Sequence, residues 1–138
     1  MPKLLLLLPL LLTLAASCGD GRCHVPIGQT NFSIDPDAAA YSQLNTVGGY
    51  IYLTGGHRGI IVIRTSYTDF LAYERTCPLD TSAAVAVSSE WGSALLECPV
   101  CHSLFLVNSD GIPADGSATP CSLFQYSTTY DNNRLYIY

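Results

Sequence analysis

The chain has 138 residues, of which 49% are hydrophobic and 12% charged, with a formal net charge of −5. This average joins two unlike pieces, because residues 4 to 14 are nine leucines, one proline and one threonine. Without the first 17 residues the remainder has the size of one small domain and little room for two. That remainder keeps no Lys and sets five Arg against eleven acids, which argues against binding DNA, RNA or an anionic lipid surface. Its low charge and its many Tyr, Ile and Val residues argue against disorder.

Met1-Pro2-Lys3 supplies one positive charge ahead of the apolar run Leu4 to Leu14. That run is too short to cross a bilayer as a stable helix, yet it suits the centre of a signal peptide. It ends in Ala15-Ala16-Ser17-Cys18, which resembles the lipobox of bacterial lipoproteins. The family favours Leu three residues before the cysteine. Here Ala15 holds that place, and Leu14 stands one residue further back. The resemblance implies cleavage before Cys18 and lipid on its sulfur and new amino group, hence attachment to a membrane in the cell envelope. An ordinary secretory signal cut at the same place, leaving Cys18 free or in a disulfide, is the other reading. The expected organisation is a signal peptide over 1–17, a lipidated cysteine and tether over 18–30, and a β domain over 31–138. No apolar run beyond residue 17 approaches membrane-spanning length.

The body reads as strands. Ala38 to Leu44 has weak helical leanings. Tyr50 to Leu53 and Ile60 to Ile63 are aromatic and branched runs that favour a pleated surface, and the glycine-rich turn Gly55 to Gly59 between them predicts a hairpin. Asp69 to Tyr73 forms a third strand leading into Cys77. Ala94 to Glu97 leads into Cys98, and Leu104 to Val107 leaves the following turn. Asn108-Ser109-Asp110-Gly111 is strong turn chemistry. Leu123 to Tyr130 and Arg134 to Tyr138 flank Asp131-Asn132-Asn133, a second hairpin signal. Many short strands at close spacing predict an all-β sandwich or barrel.

Six cysteines carry what chemistry the sequence offers: Cys18, Cys23, Cys77, Cys98, Cys101 and Cys121. With Cys18 lipidated, five are left, and an odd number cannot all pair within one chain. Export makes disulfides possible, so each could be structural. Yet Cys77-Pro-Leu and Cys98-Pro-Val-Cys101-His102 both lie between a strand and a turn. There thiolates can project toward a shared point, and two cysteines two residues apart can clasp one metal.

From about Gly48 to Tyr138 these segments resemble a Rieske-type domain, and more closely the small Rieske-like lipoproteins of Bacteroidetes. The resemblance rests on Gly59 to Arg64, Ala72 to Pro78, Cys98 to Phe105, and Gly111-Ile112-Pro113 leading to Leu123 and Tyr126. It implies an antiparallel β domain whose two cluster-binding loops meet at one tip. It also implies electron transfer through a [2Fe–2S] cluster held by two cysteines and two histidines, in the patterns C-x-H and C-x-x-H. The chain departs from both patterns. Cys77 and Cys98 match the cysteines, but Leu79 stands at the first histidine position and Cys101 at the second. His102 falls one residue late. An ordinary two-Cys, two-His cluster is therefore not expected.

Three readings of Cys77, Cys98 and Cys101 stand open. The fold persists without a cluster, and Cys98 with Cys101, or either with Cys77 or Cys121, forms a disulfide. Alternatively, three thiolates with His102 or Asp80 hold zinc, or with some other ligand an iron–sulfur cluster of altered potential. Finally, Cys98-Pro-Val-Cys101-His102 spells the attachment motif of c-type haem. A chain without Met after residue 17, and strands where a cytochrome has helices, weigh against haem. His24 and His57 read as exposed residues, and Trp91 as packing over the cysteine tip. No nucleophile elbow, phosphate loop or paired carboxylate indicates an enzyme. The expected partners are a redox or envelope protein, and no nucleic acid.

Overall fold

A computed structural model describes residues 23–138, so the signal-peptide, lipobox and Cys18 assignments lie outside the described residues. Eleven strands and one 3-10 helix follow in chain order. They are β1 (Phe32–Ile34), the 3-10 helix (Ala39–Asn45), β2 (Tyr50–Leu53), β3 (Ile60–Arg64) and β4 (Phe70–Glu74). Then come β5 (Ala86–Ser88), β6 (Gly92–Glu97), β7 (Leu104–Leu106), β8 (Ile112–Pro113), β9 (Gln125–Tyr126), β10 (Thr128–Asp131) and β11 (Arg134–Ile137). All the strand pairings are antiparallel, in sheets ordered β1-β11-β10, β2-β3-β4-β9 and β5-β6-β7-β8.

The middle sheet sorts its side chains by the two-residue period of a strand. Every residue of β3 is buried. Ile60 and Val62 join Ile34, Leu44, Ile51, Phe70, Ala72, Tyr126, Leu135 and Ile137 in one core. Ile61 and Ile63 point the other way, into a second core with Tyr73, Val85, Leu96, Phe105, Val107, Leu123 and two of the cysteines, Cys77 and Cys98. A strand apolar on both faces is what a middle layer requires, and each buried Ile or Val there contributes about 1.5–3 kcal/mol of transfer free energy.

The predicted hairpin of β2 and β3 forms, in register from Tyr50 with Ile63 to Leu53 with Ile60. The expected strand Leu123 to Tyr130 is instead two. Gln125 and Tyr126 pair with β4, whereas Thr128 to Asp131 pair with β11. At Ser127 the chain changes sheets, and its N–H and C=O exchange hydrogen bonds with Tyr138. Ala38 to Leu44 becomes the 3-10 helix, interrupted at Tyr41 (φ −119°).

Two expectations need correction. Residues 23 to 30 read as a free tether, but Cys23 is bonded to Cys121 across 98 residues of sequence. Gly28 also lies so close to the Gly56 carbonyl that a Cβ at residue 28 would overlap it. Trp91 does not cover the cysteine tip. It sits in the turn between β5 and β6 with 57% of its surface exposed.

Candidate metal centre

Two loops, one leaving β4 of the middle sheet and one joining β6 to β7 of the third, bring the cysteines together. The first follows β4, where Cys77 N–H donates to Ala83 C=O (3.0 Å) and Ala83 N–H to Asp80 C=O (2.9 Å). The second links β6 to β7. Cys98 N–H donates to Ser103 C=O (3.0 Å), and His102 N–H donates back to Cys98 C=O (2.9 Å). This tight turn puts His102 in the left-handed region (φ 57°) and sets the Cys98 and Cys101 sulfurs on one side. The Sγ atoms of Cys77, Cys98 and Cys101 lie within 4.8 Å of one another, and those of Cys77 and Cys101 are 3.6 Å apart. All three are free thiols, so the disulfide that one of the three readings placed among them or with Cys121 is not made; Cys121 is bonded to Cys23.

Cys77 and Cys98 are fully buried, and Cys101 is half-buried. Burial, with the neighbouring thiols of Cys98 and Cys101 adding to it, pushes the Cys77 thiol up to about 12. Cys101 moves the other way. Burial raises it, but hydrogen bonds from the Ser103 hydroxyl and N–H and from the other two thiols hold it below its ordinary value. Ser103 Oγ accepts from Ala118 N–H (3.0 Å) and stands 3.2 Å from Cys101 Sγ, with its own proton free to meet a thiolate there. The cluster thus accommodates one thiolate at its outer end. A bound cation would supply the charge needed to deprotonate the other two.

The first loop is pinned by Glu74, a fully buried carboxylate three residues before Cys77. It accepts from the N–H groups of His57 (2.8 Å), Arg58 (2.9 Å) and Thr76 (3.0 Å), and from the hydroxyls of Thr76 (2.7 Å) and Tyr126 (2.8 Å). Burial alone would raise its pKa, but the N–H groups of His57 and Arg58 and the hydroxyls of Thr76 and Tyr126 outweigh it and hold the carboxyl below the ordinary value. Gly56, at φ +60°, is required here, because a Cβ would overlap Glu74 Oε2 and Tyr126 Oη.

His102 is not brought to the sulfurs. Its side chain is 74% exposed, with Nδ1 3.5 Å from Glu97 Oε1. Leu79 is 52% exposed, and Asp80 Oδ1 is taken by the N–H and hydroxyl of Ser82. Sequence reasoning missed Ser103 and Glu74. A serine two residues after a loop cysteine is a faint signal, and an acid closing an apolar strand ordinarily reads as an exposed end.

The donor set fits a soft ion, for which thiolates are the preferred ligands. Two thiolates on one tetrahedral zinc, each at about 2.3 Å, stand about 3.8 Å apart. The 3.6 Å between Cys77 and Cys101 matches that single-ion spacing.

The chain matches no family model and no curated protein sequence. It does match solved structures. The ferredoxin of carbazole 1,9a-dioxygenase from Nocardioides aromaticivorans IC177 is 17% identical, with a TM-score of 0.53 over 79% of this chain and 97% of that one. A chain from the complex of reduced oxygenase and oxidized ferredoxin in carbazole 1,9a-dioxygenase is 24% identical, with a TM-score of 0.47 over 65% and 80%. The first likeness agrees with the antiparallel sheets: the fold is Rieske-like.

Proposed function

We propose that this chain is an envelope lipoprotein in which the cluster pocket of a Rieske-like fold serves as a three-thiolate site for one soft metal ion. Cys77, Cys98 and Cys101 hold the ion, and lipid on Cys18 holds the domain at the membrane. The observation that carries the reading is the convergence of three free sulfurs within 4.8 Å, two of them fully buried. Buried thiols of this kind have few partners besides one another, whereas the polar side chains around them are satisfied. Zinc at such a site braces the two loops, and iron there adds a one-electron couple. The chain's own part is to fix the sulfurs, exclude water from Cys77 and Cys98, and donate from Ser103 to Cys101.

A second reading, electron transfer through an iron–sulfur centre, is favoured by the fold shared with a ferredoxin over most of both chains. One experiment separates the two. The full chain is expressed with its leader, purified anaerobically, and assayed for iron, zinc, acid-labile sulfide and visible absorption, beside Cys98→Ser. One metal per chain without sulfide, lost in Cys98→Ser, supports the single-ion site. Two irons with sulfide support the second reading, and metal-free protein refutes both. Mass spectrometry of the mature N-terminus tests the lipid on Cys18, with Cys18→Ala as control.

A further inference from the structure

A groove of about 710 Å³ opens between the β2–β3 turn and the loop that carries Cys77, lined in part by Tyr52, His57, Arg58, Arg75 and Ala84. This volume is in the range of small-molecule sites, about 300–1,000 Å³. The chain is acidic overall, so a groove with two guanidiniums and no carboxylate in its lining is exceptional on its surface.

The four described arginines differ in what their donors do. Arg64 is buried, with Nε, Nη1 and Nη2 all given to backbone carbonyls of Ser66, Leu44 and Tyr67. Arg134 gives Nε and Nη2 to the Ser33 hydroxyl. Arg58 and Arg75 each commit Nε alone, to Thr81 C=O (2.9 Å) and Val85 C=O (2.8 Å). Arg75 is further fixed by stacking on Tyr52, 4.1 Å from the ring centroid. Both guanidiniums are therefore held in place while their terminal N–H groups have no partner among the described residues. A pre-positioned planar fork is what recognises a carboxylate or phosphate in bidentate fashion.

His57 narrows the choice. The Thr76 hydroxyl donates to Glu74 Oε1 (2.7 Å), so its oxygen accepts from His57 Nδ1–H (3.0 Å). With Nδ1 donating, Nε2 is the ring nitrogen left to accept. An oxyanion that keeps a proton can donate to it, and phosphate does so near neutral pH, whereas sulfate and carboxylates do not. The nearest acid is Glu74, whose carboxylate lies behind the groove wall and is taken by the N–H groups of His57 and Arg58 and by three further donors; Asp80 acts on Arg58 only through space, and its Oδ1 is taken by Ser82.

We propose that this groove is a phosphate-binding site, in which the forks of Arg58 and Arg75 hold the phosphoryl oxygens and His57 Nε2 accepts the remaining proton. The site does not depend on what the sulfurs hold. The test is titration of the ¹⁵N-labelled full chain with inorganic phosphate, glycerol phosphate and sulfate, each matched for ionic strength with sodium chloride. The expected result is saturable shifts confined to residues 52–59, 75 and 82–84, with phosphate binding at least about tenfold tighter than sulfate. Arg58→Gln should weaken binding at least tenfold while leaving the remaining amide spectrum unchanged, and Arg75→Gln should do the same. Glycerol phosphate, largely a dianion without a proton at neutral pH, should bind more weakly than inorganic phosphate; tighter binding of the monoester overturns the role given to His57. Shifts reproduced by sodium chloride, or sulfate binding as tightly as phosphate, overturn the proposal.

Discussion

The five described cysteines fall into two sets with different fates. Cys23 and Cys121 are joined across 98 residues of sequence, and their sulfurs have no further capacity. Cys77, Cys98 and Cys101 lie within 4.8 Å of one another and stay unbonded. Residue type is common to both sets, so neighbours make the difference. Cys121 meets the segment that carries Cys23, its N–H capped by the Thr119 hydroxyl (3.1 Å). The other three hang from loops closed by their own backbone hydrogen bonds and aimed at one point. One set closes the chain, and the other leaves a pocket of donors.

Breaking the first set should have the largest effect on stability. Cys23→Ala with Cys121→Ala should cost about 5 kcal/mol in denaturant unfolding, the loop-closure value for a ring of this length, while leaving the thiol cluster able to take up metal. Loss of metal in that double variant would show that the two sets are not independent.

The second set can be disturbed without touching a sulfur. Glu74→Gln removes a carboxylate with five donors and should cost about 3 kcal/mol at neutral pH. By loosening the Cys77 loop it should weaken metal binding about tenfold or more. Its pH dependence has a definite sign. The folded pKa lies below the ordinary 4.5, so Glu74 stabilises the fold above about that pH and loses this contribution as pH falls through the folded value. The stability difference between wild type and Glu74→Gln should therefore shrink in acid, as measured by unfolding from pH 7 downward.

Ser103→Ala is a smaller cut. It strands the Ala118 N–H and should cost about 1 kcal/mol. It also removes a donor from Cys101, so the metal-free protein should react with iodoacetamide more slowly at neutral pH, with the rate profile displaced to higher pH. His102→Ala should be the mildest, within about 0.5 kcal/mol of wild type, because the imidazole faces Glu97 and solvent. Metal content unchanged in that variant would leave the sulfurs as the protein's ligands; its loss would bring His102 into the site.

Much of this was legible in the sequence, and the rest had physical reasons to be hidden. The β2–β3 hairpin follows from two branched runs about a glycine turn, and local chemistry suffices to read it. The loops of Cys77 and Cys98 are legible from their Cys-Pro turns. β1 and β5 are three-residue strands, too short for a period to register, and they pair with segments distant in sequence or across a bulge. The sheet change at Ser127 is equally silent, because the strand pattern continues while the partner changes. The Cys23–Cys121 pairing is a long-range choice among five sulfurs, and Glu74 is an acid whose five donors come from three separate segments.

X-ray absorption at the metal edge of the anaerobically purified protein tests the three-thiolate site most directly. The account predicts three sulfur neighbours at about 2.3 Å around a single ion, falling to two in Cys101→Ser. A metal–metal distance together with bridging sulfide would contradict it.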